Sequence, residues 1–525
     1  MRPGPTRRAL AGLAAGLVGG LSILVVAAAL RWLFGIPLIG ELISDRVIPE
    51  LSIGQFSRLA RALGGLEHAK ETALFAGLLA PVVIAAAAGT VFALTLGTRP
   101  VASRRGAIVL SSSLAAAALL FVVLLWPVMP SNYRGLPPGL ASFLNVLAIV
   151  ATFAIWGAVF VASIGAFDSS RPDRPKVRPT ASEGRAFDRR TAITGGVAVL
   201  LALLGARLVQ ILTGRATVGA NGYDGLTVHG PQTASITPND RFYVVTKNLI
   251  DPNVAGHLWR LRVTGSVHNP FELGYAELIS RPSSTQTQTL ECISNGVGGG
   301  LMSNAVWRGV PLGQLIAEAR PLPDARFVLL HASDGYTDGL SLDLATHPTT
   351  LVAYEMNGET LPDRHGYPAR VLVPGTYGEV NVKWVDQVEL LDASRAGYYE
   401  RQGWRPERVQ TTSRFDRPVS GQTVSLAAQP GVPVGGVAFA GDRGISKVEV
   451  SFDGGASWAQ AALGYQPNSM TWALWSLTWN PSLPGTYTLL VRATDGRGQT
   501  QTAARHGTAP SGASGYHRVV VDVRP

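Results

Sequence analysis

The sequence predicts a multi-domain chain that begins with an α-helical transmembrane bundle, continues with an α+β domain and ends in a β-sandwich. Three observations support this fold class. Five long apolar stretches lie before residue 214, short apolar runs separated by Gly, Pro and Asp follow from Asn239, and apolar and polar residues alternate beyond residue 410. The predicted boundaries are therefore 1–213 for the bundle, 214–409 for the α+β domain and 410–525 for the sandwich.

Each of the five apolar stretches is long enough to cross a bilayer, which takes roughly 20 helical residues. Arg2, Arg7 and Arg8 precede the first stretch as they would precede a signal peptide, but its apolar run is too long for one, so we interpret it as an anchor. The stretches run over Leu10–Phe34, Thr72–Leu96, Ala107–Met129, Ser142–Phe167 and Thr191–Thr213.

Positive charges between the stretches predict the orientation of the bundle. With the N-terminus in the cytoplasm, the inside segments hold 13 Lys and Arg residues and the outside loops hold 5, which is the asymmetry that the positive-inside rule describes. Residues 214–525 then lie outside the cytoplasm, and the Pro-, Arg- and Ser-rich segment 168–190 is a cytoplasmic linker. Arg189-Arg190 resembles a twin-arginine export signal, but an ordinary basic flank explains the pair equally well.

The chemistry of the predicted spans indicates an anchor or a partner-docking element in the lipid bilayer. They contain no Asp, Glu or Lys, which would mark a transport path, and none of the nine His residues, which would be needed as haem ligands; His68 falls in a predicted loop. We therefore expect no haem. The basic excess belongs to residues 1–214, with 20 Lys and Arg against 9 Asp and Glu, whereas residues 215–525 hold 25 against 26. A neutral folded half argues against a nucleic-acid partner.

Short apolar runs in the second half predict strands and one helix. The predicted strands are Arg241–Thr246, Trp259–Val267, Arg326–Leu330 and Val382–Leu391, and the predicted helix is Leu312–Ala319. Further along the chain, apolar and polar residues alternate on both sides of Asp453-Gly454-Gly455. This tripeptide is typical of the turn in a β-hairpin. Trp472, Trp475 and Trp479 are interpreted as core residues of the sandwich.

Cys292 is the one cysteine of the chain, so no intrachain disulfide can form. It meets a loop that contains Gly296, Gly298, Gly299 and Gly300. A thiolate suits a soft metal, and a glycine-rich loop lets the backbone approach a bulky cofactor. The alternative is a small buried hydrophobic residue, which is the commoner role of a lone cysteine.

Three blocks in the second half carry a resemblance to a known family. They are Phe242-Tyr243, then Cys292 with Trp307-Arg308-Gly309-Val310-Pro311-Leu312, then Tyr354–Trp384 with its Asn-Gly, Leu-Pro, His-Gly-x-Pro-x-Arg, Val-Pro-Gly and Val-Lys-Trp elements. Over roughly Thr237 to Ala393, in this order, the chain resembles the sulfite oxidase family of molybdopterin enzymes, and in particular its bacterial, membrane-anchored branch. Residues from about Gln410 resemble the immunoglobulin-like second domain of that family, which in relatives often forms homodimers.

The resemblance implies a molybdenum–molybdopterin cofactor and a set of site residues. Cys292 would be the thiolate ligand of the metal, and Tyr336 would hydrogen-bond near its oxo group. Arg370 matches a residue at the cofactor phosphate, for which a planar guanidinium is suited. The remaining cofactor contacts would be Tyr243, Ser333, Asp334, His365, Asn381, Val382 and Lys383.

Two departures from the family pattern concern the substrate. Sulfite-oxidising relatives have an Arg in an Arg-Asn-His motif, where this chain has Lys247-Asn248, and they have an Arg after Cys-x-x-Asn, where this chain has Gly296 after Asn295. A lysine is a compact point charge without the planar fork of arginine. These changes argue against sulfite as the substrate. The Phe242-Tyr243 opening strand, the predicted location outside the cytoplasm and the expected absence of haem are similar to the bacterial branch, which includes a reductase of protein methionine sulfoxide.

These observations favour an enzyme of oxygen-atom transfer on a small sulfur- or nitrogen-containing substrate. One alternative is a methionine-sulfoxide-type reductase of exported proteins. Another is a non-catalytic membrane scaffold with a degenerate molybdopterin domain, against which the joint presence of Cys292, His365, Arg370 and Lys383 argues. A redox enzyme of this kind also needs an electron-transfer partner, which the sequence does not identify.

Overall fold

The structure is a computed structural model, and it describes residues 4–99, 103–167, 189–214, 217, 234–405, 408–427 and 431–525. Most of the linker predicted at 168–190 lies outside the described residues. The chain divides into two compact units. The first consists of Met1–Ile48, Arg58–Asn221 and Asn248–Asn253, and the second of Pro49–Ser57, Gly222–Lys247 and Val254–Pro525.

The first unit is built from α-helices. Among the described residues, five helices are long and apolar enough to cross a membrane by length and composition, which agrees with the five predicted stretches. They are α1 (Pro5–Phe34), α4 (Leu66–Leu96), α5 (Arg104–Leu125), α6 (Pro138–Phe167) and α7 (Arg189–Thr213). Two shorter helices, α2 (Ile39–Val47) and α3 (Ile53–Ala62), lie between the first two spans.

Small residues let α1 and α4 approach closely. A Cβ atom at Gly12 would overlap the backbone of Gly89, and a Cβ atom at Gly20 would lie 2.8 Å from the Cα of Val82. Lipid tails are as apolar as the helix surfaces, so the hydrophobic effect does not drive helices together in a bilayer. Close packing of this kind stabilises their association instead.

Two features of this unit differ from the sequence-based expectations. His68, predicted in a loop, lies in the first turn of α4, because the helix begins at Leu66, before its apolar run. The second feature was not predicted. Arg31 in α1 forms a buried ion pair with Glu41 in α2, with Nε and Oε2 3.0 Å apart, and its guanidinium also lies over the Tyr133 ring. The charge of Arg31 is therefore neutralised inside the bundle.

The second unit begins with an α+β domain containing two sheets. One sheet has the order β2-β1-β10-β5-β6, and the other has the order β3-β4-β7-β8 with β9 paired to β7. The strands are β1 (Arg260–Gly265), β2 (Phe271–Gly274), β3 (Ser284–Glu291), β4 (Met302–Pro311), β5 (Phe327–Ala332), β6 (Thr337–Ser341), β7 (Leu351–Met356), β8 (Glu359–Thr360), β9 (Arg370–Leu372) and β10 (Val385–Leu391). The helices are α8 (Tyr275–Ser280), α9 (Leu312–Ala319), α10 (Leu342–Ala345) and α11 (Tyr398–Arg401).

Most predicted elements of this domain are confirmed, and one is wrong. The helix Leu312–Ala319 agrees with α9, and three of the predicted strands correspond to β1, β5 and β10. Arg241–Thr246 is not a strand. The backbone N–H groups of Arg241 and Phe242 both donate to the Pro238 carbonyl in a turn, and the N–H of Tyr243 donates to the side chain of Ser303, so this segment has no ladder.

The rest of the second unit is a pair of sheets with a common apolar core. One sheet has the order β11-β13-β17-β16 and the other β12-β19-β18-β14-β15. The strands are β11 (Thr412–Arg417), β12 (Thr423–Ser425), β13 (Val432–Phe439), β14 (Ile445–Ser451), β15 (Ala459–Gln460), β16 (Ala462–Leu463), β17 (Ala473–Trp479), β18 (Gly485–Asp495) and β19 (His517–Arg524). Trp472, Trp475 and Trp479 are buried as predicted. The immunoglobulin-like assignment stays a prediction.

Candidate functional site

Cys292 lies in a tightly closed loop between β3 and β4. Its N–H donates to the Leu301 carbonyl at 3.0 Å, which brings the two ends of the loop together. Asn295 fixes the loop from inside, because its Nδ2 donates to Oε1 of Glu291 and its Oδ1 accepts from the N–H of Leu301. Burial raises the pKa of the Cys292 thiol to about 11, although a 3.0 Å hydrogen bond shared with the Ser294 hydroxyl lowers it.

Tyr243 and Gly378 lie next to Cys292. The N–H of Gly378 donates to the Glu291 carbonyl at 2.8 Å, and a Cβ atom at Gly378 would lie 2.8 Å from the Tyr243 hydroxyl and 3.8 Å from the Cα of Cys292. Burial, and then the nearby Cys292, raise the pKa of Tyr243 well above its ordinary value. The structure therefore brings Tyr243 and Cys292 together, although they are far apart in the sequence.

Arg370 is the buried centre of a second group of predicted residues. Its two terminal nitrogens donate to the carbonyls of His365, at 3.2 Å, and Asn381, at 3.0 Å. Among the described residues, the Nε of Arg370 has no hydrogen-bond partner. Burial lowers the pKa of Arg370 to about 10, and burial also lowers that of His365 to about 3, so this imidazole is neutral. His365 Nε2 lies 2.8 Å from the Asn239 carbonyl.

The segment from Asn381 to Lys383 is held by its own hydrogen bonds. Asn381 Oδ1 accepts from the N–H of Val373 at 2.8 Å, and the Val382 carbonyl accepts from the N–H of Val371 at 2.8 Å. Lys383 Nζ donates to the Arg364 carbonyl at 3.1 Å and lies 4.3 Å from the ring centre of Trp384.

Ser333 and Asp334 follow β5, and Ser333 contacts the backbone of Trp384. The N–H of Ser333 donates to the Trp384 carbonyl at 3.0 Å, and the Ser333 hydroxyl donates to Asp386 at 3.2 Å. Asp334 Oδ2 lies 4.0 Å from Nζ of Lys247, and both side chains are almost completely buried. The lysine that stands in place of the family arginine is therefore paired with a carboxylate.

Tyr336 belongs to a network that sequence reasoning missed. Its hydroxyl donates to Oδ2 of Asp338, at 2.9 Å, and to the Glu379 carbonyl, at 3.1 Å. Neither carboxylate oxygen of Glu379 has a hydrogen-bond partner from another described residue. Burial raises the pKa of Glu379 to about 8 and that of Asp338 to about 7. The Tyr399 ring lies 5.7 Å from that of Tyr336.

These contacts join the predicted residues into connected groups. Cys292 and Tyr243 form one, and His365, Arg370, Asn381, Val382 and Lys383 form another; Arg370 links the two, since it also influences the pKa of Tyr243. Burial is the main cause that raises the pKa of the Tyr399 phenol. Cys292 raises this pKa further and Lys247 lowers it, so the phenol lies near both residues. The specific roles assigned to these residues stay predictions.

Two family models match the second unit. One is described as the oxidoreductase molybdopterin binding domain and matches residues 248–399. The other is described as the Mo-co oxidoreductase dimerisation domain and matches residues 407–524. The α+β domain and the paired sheets described above therefore correspond to two separate domain families.

A solved structure shows the same fold. The sulfane dehydrogenase SoxCD from Paracoccus pantotrophus aligns with a TM-score of 0.50 and 24% sequence identity, covering 57% of this chain and 86% of that one. At this identity the likeness concerns the fold alone.

Characterised proteins are similar in sequence. Sulfite oxidase from Arabidopsis thaliana is 31% identical over 282 residues, which is 44% of this chain and 71% of that protein. Mouse mitochondrial sulfite oxidase is 31% identical over 46% of this chain and 52% of that protein, and a nitrate reductase from Emericella nidulans is 28% identical over 50% and 38%. The chain thus spans about half or less of the latter two. These matches show that the chain belongs to the sulfite oxidase family of molybdopterin-dependent oxidoreductases.

Proposed function

We propose that this chain is a membrane-anchored molybdenum-cofactor enzyme that transfers oxygen atoms to or from a small sulfur- or nitrogen-containing substrate outside the cytoplasm. The observation that carries the proposal is the buried Cys292 thiol at the end of β3, beside Tyr243 and Gly378. The oxidoreductase class and the molybdenum–molybdopterin cofactor follow from family membership. The substrate, the anchoring and the location are the proposed parts.

The residues around Cys292 fit the molybdenum–molybdopterin group. The Nε of Arg370 and the carboxylate of Glu379 are buried without partners among the other described residues, which is unusual in a protein that binds nothing there. The absence of a side chain at Gly378 lets the Tyr243 hydroxyl pack against this backbone, close to Cys292. When bound, the group supplies two-electron oxygen-atom transfer.

We assign the ligand role to Cys292 and the cofactor contacts to the groups defined above. The high thiol pKa means that Cys292 must release a proton when it becomes a thiolate ligand. The cofactor contacts would come from Tyr243, Ser333, Asp334, His365, Arg370, Asn381, Val382 and Lys383. Tyr336 would act at the active site, where Asp338 and the Glu379 carbonyl orient its hydroxyl.

Metal analysis and spectroscopy test this assignment. Protein made in a host that synthesises the cofactor should contain equimolar molybdenum, and Cys292→Ser should lose one sulfur ligand in the X-ray absorption spectrum together with nearly all activity. Ser294→Ala, which changes only the hydrogen-bond partner of the thiol, should keep that ligand. Molybdenum-free protein would favour the scaffold alternative, and full activity of Cys292→Ser would refute the ligand role.

The pairing of Lys247 favours a neutral substrate, such as a sulfoxide, over a doubly charged anion. The lysine charge is largely compensated by Asp334 at 4.0 Å. This supports the methionine-sulfoxide-type reductase as a second candidate. With a reduced dye as donor, methionine sulfoxide and amine N-oxides should be turned over faster than nitrate. Fast sulfite oxidation with a dye acceptor would contradict this preference.

We also propose that the paired sheets are an immunoglobulin-like domain that forms a homodimer. The dimerisation-domain match over residues 407–524 supports this assembly. Light scattering of the detergent-solubilised full-length protein should give the mass of two chains, and a single-chain mass would contradict the proposal.

A further inference from the structure

The segment between α1 and α4 contains a short amphipathic helix, α3 (Ile53–Ala62). Its first turn is stabilised by a reciprocal cap, in which the N–H of Ser52 donates to Oε1 of Gln55 at 2.9 Å and the N–H of Gln55 donates to the Ser52 hydroxyl at 3.3 Å. The N–H of Ile53 donates to the Gln402 carbonyl at 2.9 Å, just after α11. Protein contacts therefore hold the beginning of this helix.

The end of α3 is bonded directly to α4, which is one of the helices long and apolar enough to cross a membrane. The N–H of Gly65 donates to the Ala60 carbonyl at 2.8 Å, in the last turn of α3, and the Gly65 carbonyl accepts from the N–H of Ala69 at 2.9 Å, in the first turn of α4. Gly64 and Gly65 have φ values of +89° and +110°, which allow this sharp turn. With α4 across the bilayer as proposed above, the last turn of α3 lies close to the membrane surface.

One side of α3 exposes apolar side chains. Leu59 is 46% exposed and Leu63, directly after the helix, is 39% exposed; their spacing of four residues places them on the same side. Outward-facing leucines of the long helices are exposed to a similar extent, for example Leu94 in α4 at 40% and Leu140 in α6 at 46%. Ala60, by contrast, is buried. The exposed side of α3 is therefore better suited to hydrocarbon than to water.

Two arginines border the exposed leucines. Arg58 and Arg61 are both exposed, and α3 contains no Asp or Glu. An arginine at the edge of an apolar face can extend its side chain towards the phosphates while its neighbours contact the acyl chains. Its guanidinium forms charge-assisted hydrogen bonds with phosphate oxygens. Helices with this combination of apolar and basic sides lie in the plane of the membrane interface.

We propose that α3 is an interfacial helix that inserts Leu59 and Leu63 into the outer leaflet and binds anionic phospholipid headgroups through Arg58 and Arg61. The direct connection with α4 favours lipid over a second protein as the occupant, because it holds the leucines beside the end of a spanning helix. The inference rests on the membrane placement proposed above but not on the roles of the residues around Cys292.

Fluorescence quenching by lipid tests the insertion without measuring catalysis. The full-length Leu59→Cys protein is labelled with bimane and placed in phosphatidylcholine nanodiscs that contain lipid with brominated acyl chains. Cys292 is buried, and the wild-type protein carried through the labelling is the blank. We expect strong quenching at Leu59→Cys. Gly54→Cys is the matched control on the far side of the same helix, where a Cβ atom meets nothing within 4 Å, and its bimane should not be quenched.

The headgroup of the brominated lipid tests the role of the arginines. At an equal share of the bilayer, brominated phosphatidylglycerol should quench Leu59→Cys about twofold more strongly than brominated phosphatidylcholine, because the two charges enrich anionic lipid beside the helix. Replacing Arg58 and Arg61 together by glutamine should remove this difference but keep the quenching by phosphatidylcholine. Arg395→Gln, at a side chain that is 63% exposed, is the charge control and should keep the difference.

Four results would overturn the proposal: no quenching at Leu59→Cys, equal quenching at Gly54→Cys, equal quenching by the two lipids, or a lipid difference that persists without Arg58 and Arg61. A chain that does not enter nanodiscs would refute the membrane placement itself, and this inference with it. The two failures are therefore distinguishable.

Discussion

At the scale of single residues, the candidate site is marked by buried polar groups that lack partners within the protein. Nε of Arg370, both oxygens of Glu379 and Oε2 of Glu291 are all buried without a hydrogen-bond partner from another described residue. Each such group costs free energy unless a ligand or water satisfies it. Glu291 and Glu379 both act on the Cys292 thiol, so these partnerless groups are a physical argument for a bound group there that is independent of motif matching.

Replacing Arg370 by lysine should reduce cofactor retention. The two terminal nitrogens of Arg370 donate to the His365 and Asn381 carbonyls, which leaves its Nε as a donor for the cofactor. The single ammonium group of a lysine cannot make both carbonyl contacts and also present a donor at the position of Nε. We expect the molybdopterin content of Arg370→Lys after purification to fall by about tenfold. Arg308→Lys, at a half-exposed side chain paired with Glu355, is the matched control. Equal cofactor content in the two variants would contradict the assignment.

Glu379 should make the cofactor-free protein less stable as pH rises. Its pKa is raised from 4.5 to about 8, so the folded state holds a proton that the unfolded state releases between these values. Stability attributable to this carboxyl therefore falls from about pH 4.5 to about pH 8. Glu379→Gln should remove this fall and be more stable than the wild type at pH 8, by on the order of 2–4 kcal/mol, but not at pH 4.5.

Thermal unfolding of the cofactor-free, full-length protein at the two pH values measures this difference. Glu272→Gln, which removes an exposed carboxyl on β2, is the control and should behave as the wild type at both values. A Glu379→Gln variant that unfolds at the wild-type temperature at pH 8 would show that the carboxyl is not held protonated.

Motifs predicted only part of this site. Cys292, His365, Arg370 and Lys383 stand in continuous blocks, so the sequence alone singles them out. Asp338 in β6, Glu379 in a loop and Tyr399 in α11 come from three separate segments, and each is unremarkable in its own segment. Their functional signal is that all three lie next to Tyr336, an arrangement that exists only after folding.

At the scale of elements, the loop after Cys292 is held from outside by the paired sheets. Arg414 in β11 donates to the Gly299 carbonyl at 2.7 Å and is itself paired with Asp416. His517 in β19 lies against Gly298, where a Cβ atom would overlap the imidazole ring. The family's second domain therefore positions the loop that contains the proposed metal ligand.

Gly298→Ala should destabilise this loop. Gly298 has a φ of +79°, and its missing side chain makes room for His517. Alanine should reduce the stability of the second unit by roughly 2 kcal/mol and lower cofactor retention. Gly296→Ala is the matched control in the same loop, since a Cβ atom there meets nothing within 4 Å. Chemical denaturation and molybdenum content of both variants measure the effect, and identical values would refute the contact.

Elements were predictable where one local signal dominates. The five long helices follow from apolar length, and α9 follows from its apolar spacing. The short α2 and the ion pair of Arg31 with Glu41 were not predicted, because the pair depends on how two helices pack. The segment Arg241–Thr246 has strand-like composition, but its backbone is used by a turn and by Ser303, which composition does not reveal.

At the scale of the whole molecule, the charge distribution separates a basic helical half from a nearly neutral folded half. With 13 positive residues on the proposed inside and 5 on the proposed outside, the loops between the long helices predict an extracytoplasmic C-terminal half. A domain that folds around a cofactor in the cytoplasm would need an export route for folded proteins. The two explanations of Arg189-Arg190 therefore make different predictions.

Changing Arg189 and Arg190 together to lysine separates the two explanations, because lysine keeps the positive charge but not the twin-arginine signal. A cysteine introduced at Leu483, which is 67% exposed, should react with a membrane-impermeant maleimide in intact wild-type cells. We expect this labelling to fall by about tenfold or more in the double-lysine variant. Thr6→Cys, near the N-terminus that we propose to be cytoplasmic, should react only after permeabilisation in both backgrounds. Unchanged labelling at Leu483→Cys would leave charge alone as the determinant of orientation.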